Sequence, residues 1–532
     1  MPNIGFVLCL KHPLETKPLL FINSKIHRGC FQGVGELKDF DQIVVYGIDA
    51  IIHHIREAGF EKFPQIIDIE TASRLITGRP KSSFPPGKIP WEITNLISQH
   101  VKTSTIKWLK QFQSLQIIAP LADPNFHDIC SDLIQGLNKL WNKLQDELKT
   151  KGELDRFNKI ETPIINELFR TEVNGTVVPM SLLNKKLNEI KSTYYSTIKK
   201  LEFDHDFISQ RISQNLKWED IDGYCSLTQI SEELNTDFWA YANIFKHEDE
   251  FLELLLLARN SKLDFDSLLK FTVDNQDKIY PLYQSMGTVT GRILISSPGI
   301  QFLKKTSRGI FRPRENHSFI YADFDQFEPG IIASFSEDPE LLHIYNHGDI
   351  YEELSKELFG STERRKLCKT IFIAYMYGMT PARIKKLISE TAGETASESG
   401  MKFFDKFSRL VMWKDAVCIE ACENGFVETY FGNKRYLEKK GVMKSHEMRW
   451  IPNQVIQGTA SYILKKALIE LRNRHYDFEV IVPMHDAILL EVPEKNVGLM
   501  KGAIESIFTG EFKKVCPNIN PSISFENFCE DT

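Results

Sequence analysis

Three groups of residues carry side chains that could do chemistry together. The apolar run 319–322 (Phe-Ile-Tyr-Ala) reads as a short buried strand that delivers Asp323 at its end, ahead of Phe324-Asp-Gln-Phe-Glu328. Late in the chain, residues 478–484 and 488–492 read as two strands joined by a turn at His485-Asp486, a hairpin with an acid at its tip. Between them Arg365, Lys369, Ile373 and Tyr377 follow one another at four-residue steps, with Gly378 behind. On a helix these steps keep one face, with two cations at its start and an aromatic ring about two turns later. A triphosphate carrying a base has that polarity, anionic at one end and flat and apolar at the other. Taken singly, each feature has an ordinary explanation: a turn acid, a capped turn, a solvated helix face. Their order along the chain sets them apart.

Asp323-Phe-Asp-Gln-Phe-Glu328 resembles the first palm motif, D-Y-S-Q-x-E, of the family A DNA polymerases, the bacterial DNA polymerase I type. Arg365-xxx-Lys369-xxxxxxx-Tyr377-Gly378 resembles that family's nucleotide-binding finger helix. Gly287-Thr-Val-Thr-Gly-Arg292 followed by Ser296-Ser-Pro-Gly-Ile-Gln301 is similar to its T-x-T-G-R-L-S-S-x-x-P-N-L-Q run, and His485-Asp486 to the first two residues of its third motif, H-D-E. Gly425-Phe-Val-Glu-Thr-Tyr430 with Gly432-Asn-Lys-Arg-Tyr436 resembles its G-Y-V-x-T-x-x-G-R-R hairpin.

The resemblance implies a role for each matched residue. Asp323 and Asp486 would hold two Mg²⁺ ions, with Mn²⁺ as a substitute, for phosphoryl transfer. Arg365 and Lys369 would bind the triphosphate of a dNTP, with Lys369 also giving a proton to the departing pyrophosphate. Ile373, Tyr377, Glu328 and His485 would complete the nucleotide site, Glu328 filling the space of a ribose 2′-hydroxyl. Arg292, Thr290, Gly291, Arg449, Asn453 and Gln457 would touch primer and template. Two departures stand out: Ala487 replaces the Glu of the third motif, and Ile373 stands where the family usually has Phe or Tyr.

These motifs imply a multidomain α/β and α+β chain, a right-hand polymerase of palm, fingers and thumb preceded by an RNase H-like exonuclease-type domain. Residues 1–150 would form that first domain, 151–280 the thumb, 281–345 and 451–532 the palm, and 346–450 the fingers. In the first part, residues 43–46 and 65–67 read as strands and 50–58 as a helix, an alternation that suggests an α/β layer. Asp132 is expected to open a helix over 133–148, where the family's last nuclease acid stands. The first strand candidates, 5–10 and 19–22, are not followed by the D-x-E pair such a nuclease needs, and Asp68-x-Glu70 lies too late in the order. A domain without proofreading is therefore expected. A helix from about 160 with Pro163 in its first turn, a turn over 172–177, a long helix over 182–200, a tip segment at 226–229 and a helix at 259–263 would build the thumb. Residues 336–340 read as a helix start, and 390–400 as a polar break in the fingers.

With 532 residues, 42% of them hydrophobic and 26% charged, the chain can form several buried cores. No apolar run approaches the roughly 20 residues that span a bilayer, and no leader pattern opens the chain. Nine cysteines without a C-x-x-C pair point to reduced thiols. The formal charge of −6 does not argue against nucleic acid, because binding follows local basic surface such as 434–435 and 439–440. The expectation is a cytoplasmic, monomeric DNA-directed DNA polymerase, bacterial or from a virus or mobile element. Its partners would be primer–template DNA and dNTPs, with a processivity or replication factor as a further candidate and no membrane. The rival readings are a decayed primer–template-binding protein, a nuclease, and a single-subunit RNA polymerase.

Overall fold

The computed structural model describes residues 3–10, 19–23, 34–58, 63–117, 123–203 and 250–529. The expected thumb-tip segment at 226–229 lies outside them. Strands β1 (Ile4–Leu10), β2 (Leu19–Asn23), β3 (Gln42–Tyr46) and β4 (Gln65–Asp68) form a sheet of order β2-β1-β3-β4. β2 is antiparallel to β1, whereas β1, β3 and β4 are mutually parallel. Strands covered on both faces read as unbroken apolar runs, as Val7-Leu8 and Ile43-Val44-Val45 do. Helix α1 (Ile48–Ala58) connects β3 to β4. Helix α2 (Ile69–Thr77) leaves β4 under a cap, the Asp68 carboxylate accepting from the backbone N–H of Glu70 at 3.3 Å and of Thr71 at 2.9 Å.

Helices α3 (Thr103–Gln113) and α4 (Phe126–Thr150) follow. Asp132 does not open a helix, because α4 begins at Phe126. Its real start has no side-chain cap, so Asp132 offered the stronger local signal. From within α4 the Asp132 carboxylate accepts from Lys102 N–H at 2.8 Å and the Thr105 hydroxyl at 2.6 Å, capping α3 from outside. Helix α5 (Thr162–Asn174) carries Pro163 in its first turn and is still helical at Glu172. The expected turn therefore narrows to Gly175, at φ 72°. Two long helices, α6 (Met180–Phe203) and α7 (Glu250–Leu268), pack on each other.

Next come the hairpin β5 (Leu282–Gln284) and β6 (Leu294–Ser297), and then strand β7 (His317–Phe324). A helical block follows: α8 (Phe327–Ser336), α9 (Pro339–His347), α10 (Ile350–Phe359), α11 (Arg365–Met376), α12 (Pro381–Ala392), α13 (Glu394–Asp405) and α14 (Ser408–Asn424). The expected helix start at 336–340 is a junction, with Ser336 ending α8 and Asp338 capping α9. The polar break over 390–400 shrinks to Gly393 at φ 89°; the flanking polar residues stay helical, and the buried Ser397 hydroxyl donates to the Lys385 carbonyl at 3.0 Å. The hairpin β8 (Phe426–Thr429) and β9 (Gly432–Tyr436) leads into α15 (Ser445–Asn473). The chain ends with β10 (Glu479–Pro483), β11 (Ala487–Pro493), α16 (Val497–Val515) and β12 (Ile523–Glu526).

The second four-stranded sheet is antiparallel throughout, in the order β10-β11-β7-β12. One apolar cluster joins its inner face (Ile320, Ala322, Leu490) to α15 and α16 (Ile463, Leu468, Ile504, Phe508). A buried knot of charge ties the early helices to this body. Glu161 accepts from Arg156 Nε at 3.0 Å and from Lys465 Nζ of α15 at 2.6 Å, and all three are buried. Lys465 also donates to the Ser285 carbonyl at 2.8 Å, and Arg156 to the Phe431 carbonyl at 2.9 Å. Glu153 accepts at 2.8 Å from the backbone N–H of both Asn433 and Lys434. Burial lowers the Lys465 ammonium to about 8, with Glu161 opposing that shift.

Removing one partner from such a knot leaves buried charge without compensation, at a cost of roughly 3–5 kcal/mol. Glu161→Gln, which leaves Arg156 and Lys465 facing each other, is expected to lower the thermal unfolding midpoint by several degrees. An unchanged midpoint would mean that the knot contributes no stability.

Candidate active site

Register brings the two acids together. In the β7–β11 ladder Asp323 pairs with Ala487 and the Phe324 N–H donates to the Asp486 carbonyl at 2.9 Å, so Asp486 at the hairpin tip lies beside Asp323. Burial first, then the nearby carboxylates of Asp486 and Glu526, push Asp323 up to about 7; Lys369 works against the shift and Asp325 adds to it. Glu526 already pairs with Lys305 at 3.1 Å, which leaves the Asp323 and Asp486 carboxylates as the pair of oxygen donors that a divalent cation would neutralise. Directly opposed residues of an antiparallel pair project to the same face, so the Ala487 methyl stands next to Asp323.

The cationic face is held close by. Arg365 begins α11 and binds Asp349 through Nη2 at 2.5 Å and Nε at 3.2 Å. Asp349 also caps α10, accepting from Tyr351 N–H at 2.8 Å and Glu352 N–H at 3.0 Å. Its ion pair with Arg365 outweighs the desolvation of the guanidinium and raises that group's pKa. Both Arg365 and Lys369 lie over the ring of buried Tyr351, at 5.2 and 5.8 Å from its centroid. The Arg365 side chain is still 41% exposed and open to an incoming anion. Ile373, one turn on, is half-buried against the core.

At the far end of α11, Tyr377 is the capping residue rather than a helical one, and Gly378 adopts φ 84°. The Tyr377 hydroxyl donates to one oxygen of Glu328, while Arg292 donates to the other. Burial and the Glu328 charge raise the Tyr377 phenol, against a hydrogen bond from Gln457. Burial and the Arg292 charge lower His485. Arg449, Asn453 and Gln457 share one face of α15: Arg449 is exposed next to Gly378, and Asn453 Nδ2 lies 3.5 Å from the Tyr377 carbonyl. Thr290 and Gly291 are not at the surface. Thr290 is buried, its hydroxyl 2.8 Å from that of Thr288, which accepts from Arg292 N–H at 3.1 Å, and the Gly291 carbonyl accepts from Ser461. They shape the turn that presents Arg292.

Asp349, Tyr351 and Glu526 belong to this neighbourhood without having been expected there. For Asp349 a signal existed, since Gly348-Asp349 before an apolar run is a helix-cap pattern. Among the described residues, the one triad of metal-type ligand atoms within 4.8 Å of one another is Glu438, His446 and Glu447. Its ligands are already engaged: both Glu447 oxygens accept backbone N–H groups at 2.9 Å, and Lys444 pairs with Glu438. No helix among the described residues is long and apolar enough to cross a membrane.

Comparison with known proteins gives the family and the fold. The DNA polymerase family A profile matches residues 181–524. DNA polymerase I of Caldicellulosiruptor bescii is 26% identical over 406 residues, covering 69% of this chain and 46% of that protein. DNA polymerase I of Pseudomonas aeruginosa is 25% identical over 436 residues, 76% of this chain and 47% of its own length. The chain thus spans just under half the length of these relatives. Among solved structures, the POL domain of Pol1 from M. smegmatis, in complex with DNA primer–template and dNTP, aligns with a TM-score of 0.72 at 17% identity. That alignment covers 99% of this chain and 95% of the other, and shows a shared fold.

The raised Asp323 pKa gives a pH dependence of defined sign. A cation needs the ionised carboxylate, so Mn²⁺ affinity should rise by about tenfold per pH unit toward pH 7 and then level off. Because the folded chain keeps the Asp323 proton where the unfolded chain has lost it, this group removes stability from the metal-free protein as pH rises from about 4 to about 7. Mn²⁺ titrations followed by electron paramagnetic resonance at pH 6, 7 and 8 check the first effect, and Asp323→Asn should abolish the slope.

Proposed function

Because the chain belongs to DNA polymerase family A, we propose that it adds deoxynucleotides to a primer 3′-end on a DNA template. The observation that carries this reading is the ladder that sets Asp323 beside Asp486, next to the Arg365–Lys369 face. Asp323 and Asp486 would hold divalent cations, preferably Mg²⁺, which supply an activated 3′-hydroxyl and neutralise the leaving pyrophosphate. Arg365 and Lys369 bind the triphosphate, and Lys369 hands a proton to the departing pyrophosphate. The Glu328 side chain, fixed from two sides by Arg292 and Tyr377, fills the space a ribose 2′-hydroxyl would need. Asn453 and Gln457 hold Tyr377 where the nascent pair forms, and Gly378 lets α11 swing when the site closes. The M. smegmatis fold, described with DNA and dNTP, supports the same ligands here.

We place the palm in 281–345 and 451–532, the fingers in 346–450 and the thumb in 151–280. The first 150 residues form an exonuclease-type layer kept for shape and without proofreading. That reading is supported by β1, which carries no acid, and by Asp132, which is spent on a helix cap. Ala487 favours one alternative, a primer–template-binding protein whose chemistry has decayed.

Primer extension on a labelled hairpin with Mg²⁺ or Mn²⁺ tests the choice. Wild-type extension should fall by roughly three orders of magnitude in Asp486→Ala, matching the several kcal/mol that a clamped cation supplies. No extension with either metal, together with tight hairpin binding, would turn the reading to the decayed relative. In the same assay Glu328→Ala should raise ribonucleotide incorporation relative to deoxynucleotide; unchanged selectivity would remove Glu328 as the gate.

A further inference from the structure

The hairpin of β8 and β9 is held from three sides. At the start of β9 two successive residues, Gly432 at φ 71° and Asn433 at φ 59°, adopt left-handed backbone. Glycine enters that region freely, and asparagine is among the few other residues that do. Such a turn aims consecutive N–H groups at one point, a geometry that suits an anion, and here the N–H groups of Asn433 and Lys434 both meet the buried carboxylate of Glu153. A β-carbon on Gly432 would lie 2.7 Å from a Glu153 oxygen, so only glycine fits against that acid.

The amino-terminal layer takes the other end of β9. The Tyr436 N–H donates to the Gly78 carbonyl at 3.0 Å, and Arg79 donates through Nη2 to the Leu437 carbonyl at 2.9 Å. Lys151, at the end of α4, donates to the Ile76 carbonyl of α2 at 2.6 Å and lies 4.8 Å over the Tyr436 ring. These contacts fix β9 to α2 and to the end of α4.

The third side is the turn that presents Arg292. Asn433 donates through Nδ2 to the Val289 carbonyl at 3.1 Å, and Gln454 of α15 donates to the same carbonyl at 3.1 Å. Asn433 is only 1% exposed, so water cannot replace that bond if it is lost. Gly291 packs on the same amide, since a β-carbon there would sit 3.5 Å from Asn433 Nδ2. Within the turn the Gly291 N–H donates to the Thr288 carbonyl at 2.9 Å and the Gly287 N–H to the Arg292 carbonyl at 3.0 Å, so a shift at Val289 is passed on to Arg292. Arg292 and Tyr377 in turn hold Glu328 between them.

Turn chemistry alone would explain an asparagine at position 433. It predicts that Gly or Asp would serve as well, because both tolerate left-handed backbone. The hydrogen bond to Val289 predicts an order instead. Asn433→Gly keeps the turn and removes the donor, whereas Asn433→Asp keeps the turn and the size but sets a carboxylate oxygen against the Val289 carbonyl. We propose that Asn433 is a positioning residue through which the amino-terminal layer sets the Arg292–Glu328 pair and, with it, the sugar selectivity of nucleotide addition. The selectivity rests on the polymerase reading; the contact does not.

Hydrogen–deuterium exchange of the full chain reads the contact directly. Amides of 287–292 should exchange several-fold faster in Asn433→Gly and faster still in Asn433→Asp, with circular dichroism unchanged. Primer extension reads the consequence. Incorporation of ribonucleotide relative to deoxynucleotide should rise about two- to tenfold in Asn433→Gly, the range of one hydrogen bond, and further in Asn433→Asp. Neither variant should move the ratio in a Glu328→Ala background, and Glu153→Gln should raise it in the wild type but not in Asn433→Gly. Equal exchange at 287–292 in all three proteins would overturn the proposal, and so would a sugar ratio in Asn433→Asp that matches the wild type. A wild type that extends no primer sinks the polymerase reading, and the exchange result then decides the contact alone.

Discussion

The pairing register of β7 on β11 is the constraint on which the rest depends. Side chains alternate faces along a strand, so a slip of one residue would turn Asp323 to the opposite face of the sheet and away from Asp486. Both faces of this ladder are packed, Ile320, Ala322, Ile488 and Leu490 on one and Tyr321, Ala487 and Leu489 beside Asp323 on the other, so a slip would misfit side chains on both. The acids are placed together by the hydrophobic pattern beneath them. No interaction between the acids does it, for two carboxylates side by side repel.

The second constraint is directional. Apolar packing could hold the early helices against α15 in several rotations, but Glu161 can satisfy Arg156 and Lys465 in few. Buried ion pairs contribute little net stability because desolvation offsets their attraction; what they do strongly is penalise misalignment. Through Glu153 the same knot grips the β8–β9 hairpin. It thereby fixes the helix that carries Arg449, Asn453 and Gln457 relative to the turn that presents Arg292.

Much of this was legible in the residues. Alternation and apolar runs gave β3, β4, β7 and the β10–β11 hairpin nearly to their ends, and four-residue spacing gave the face of α11, because those signals are local and periodic. The misses arose where tertiary partners override local chemistry. Asp132 resembles a helix cap in sequence, and it is one, for a different helix. The polar stretch at 390–400 looks like a loop until a buried Ser397 and one glycine show two helices meeting. Thr290 reads as a surface contact and is buried, since nothing in its own neighbourhood reveals that α15 covers it. The Lys465–Glu161 pair joins residues some three hundred positions apart, beyond the reach of any local pattern.

On the proposed reading, the Asp349–Arg365 pair would make nucleotide entry an exchange. The guanidinium that would meet a triphosphate already has a carboxylate partner, which at the same time caps the next helix. An arriving anion gains only the difference between its own attraction and the one it displaces. A singly charged anion gains next to nothing by that trade, whereas a polyanion that engages Arg365 and Lys369 together comes out ahead. On the proposed reading, the site would favour ligands that carry several phosphates over small singly charged anions.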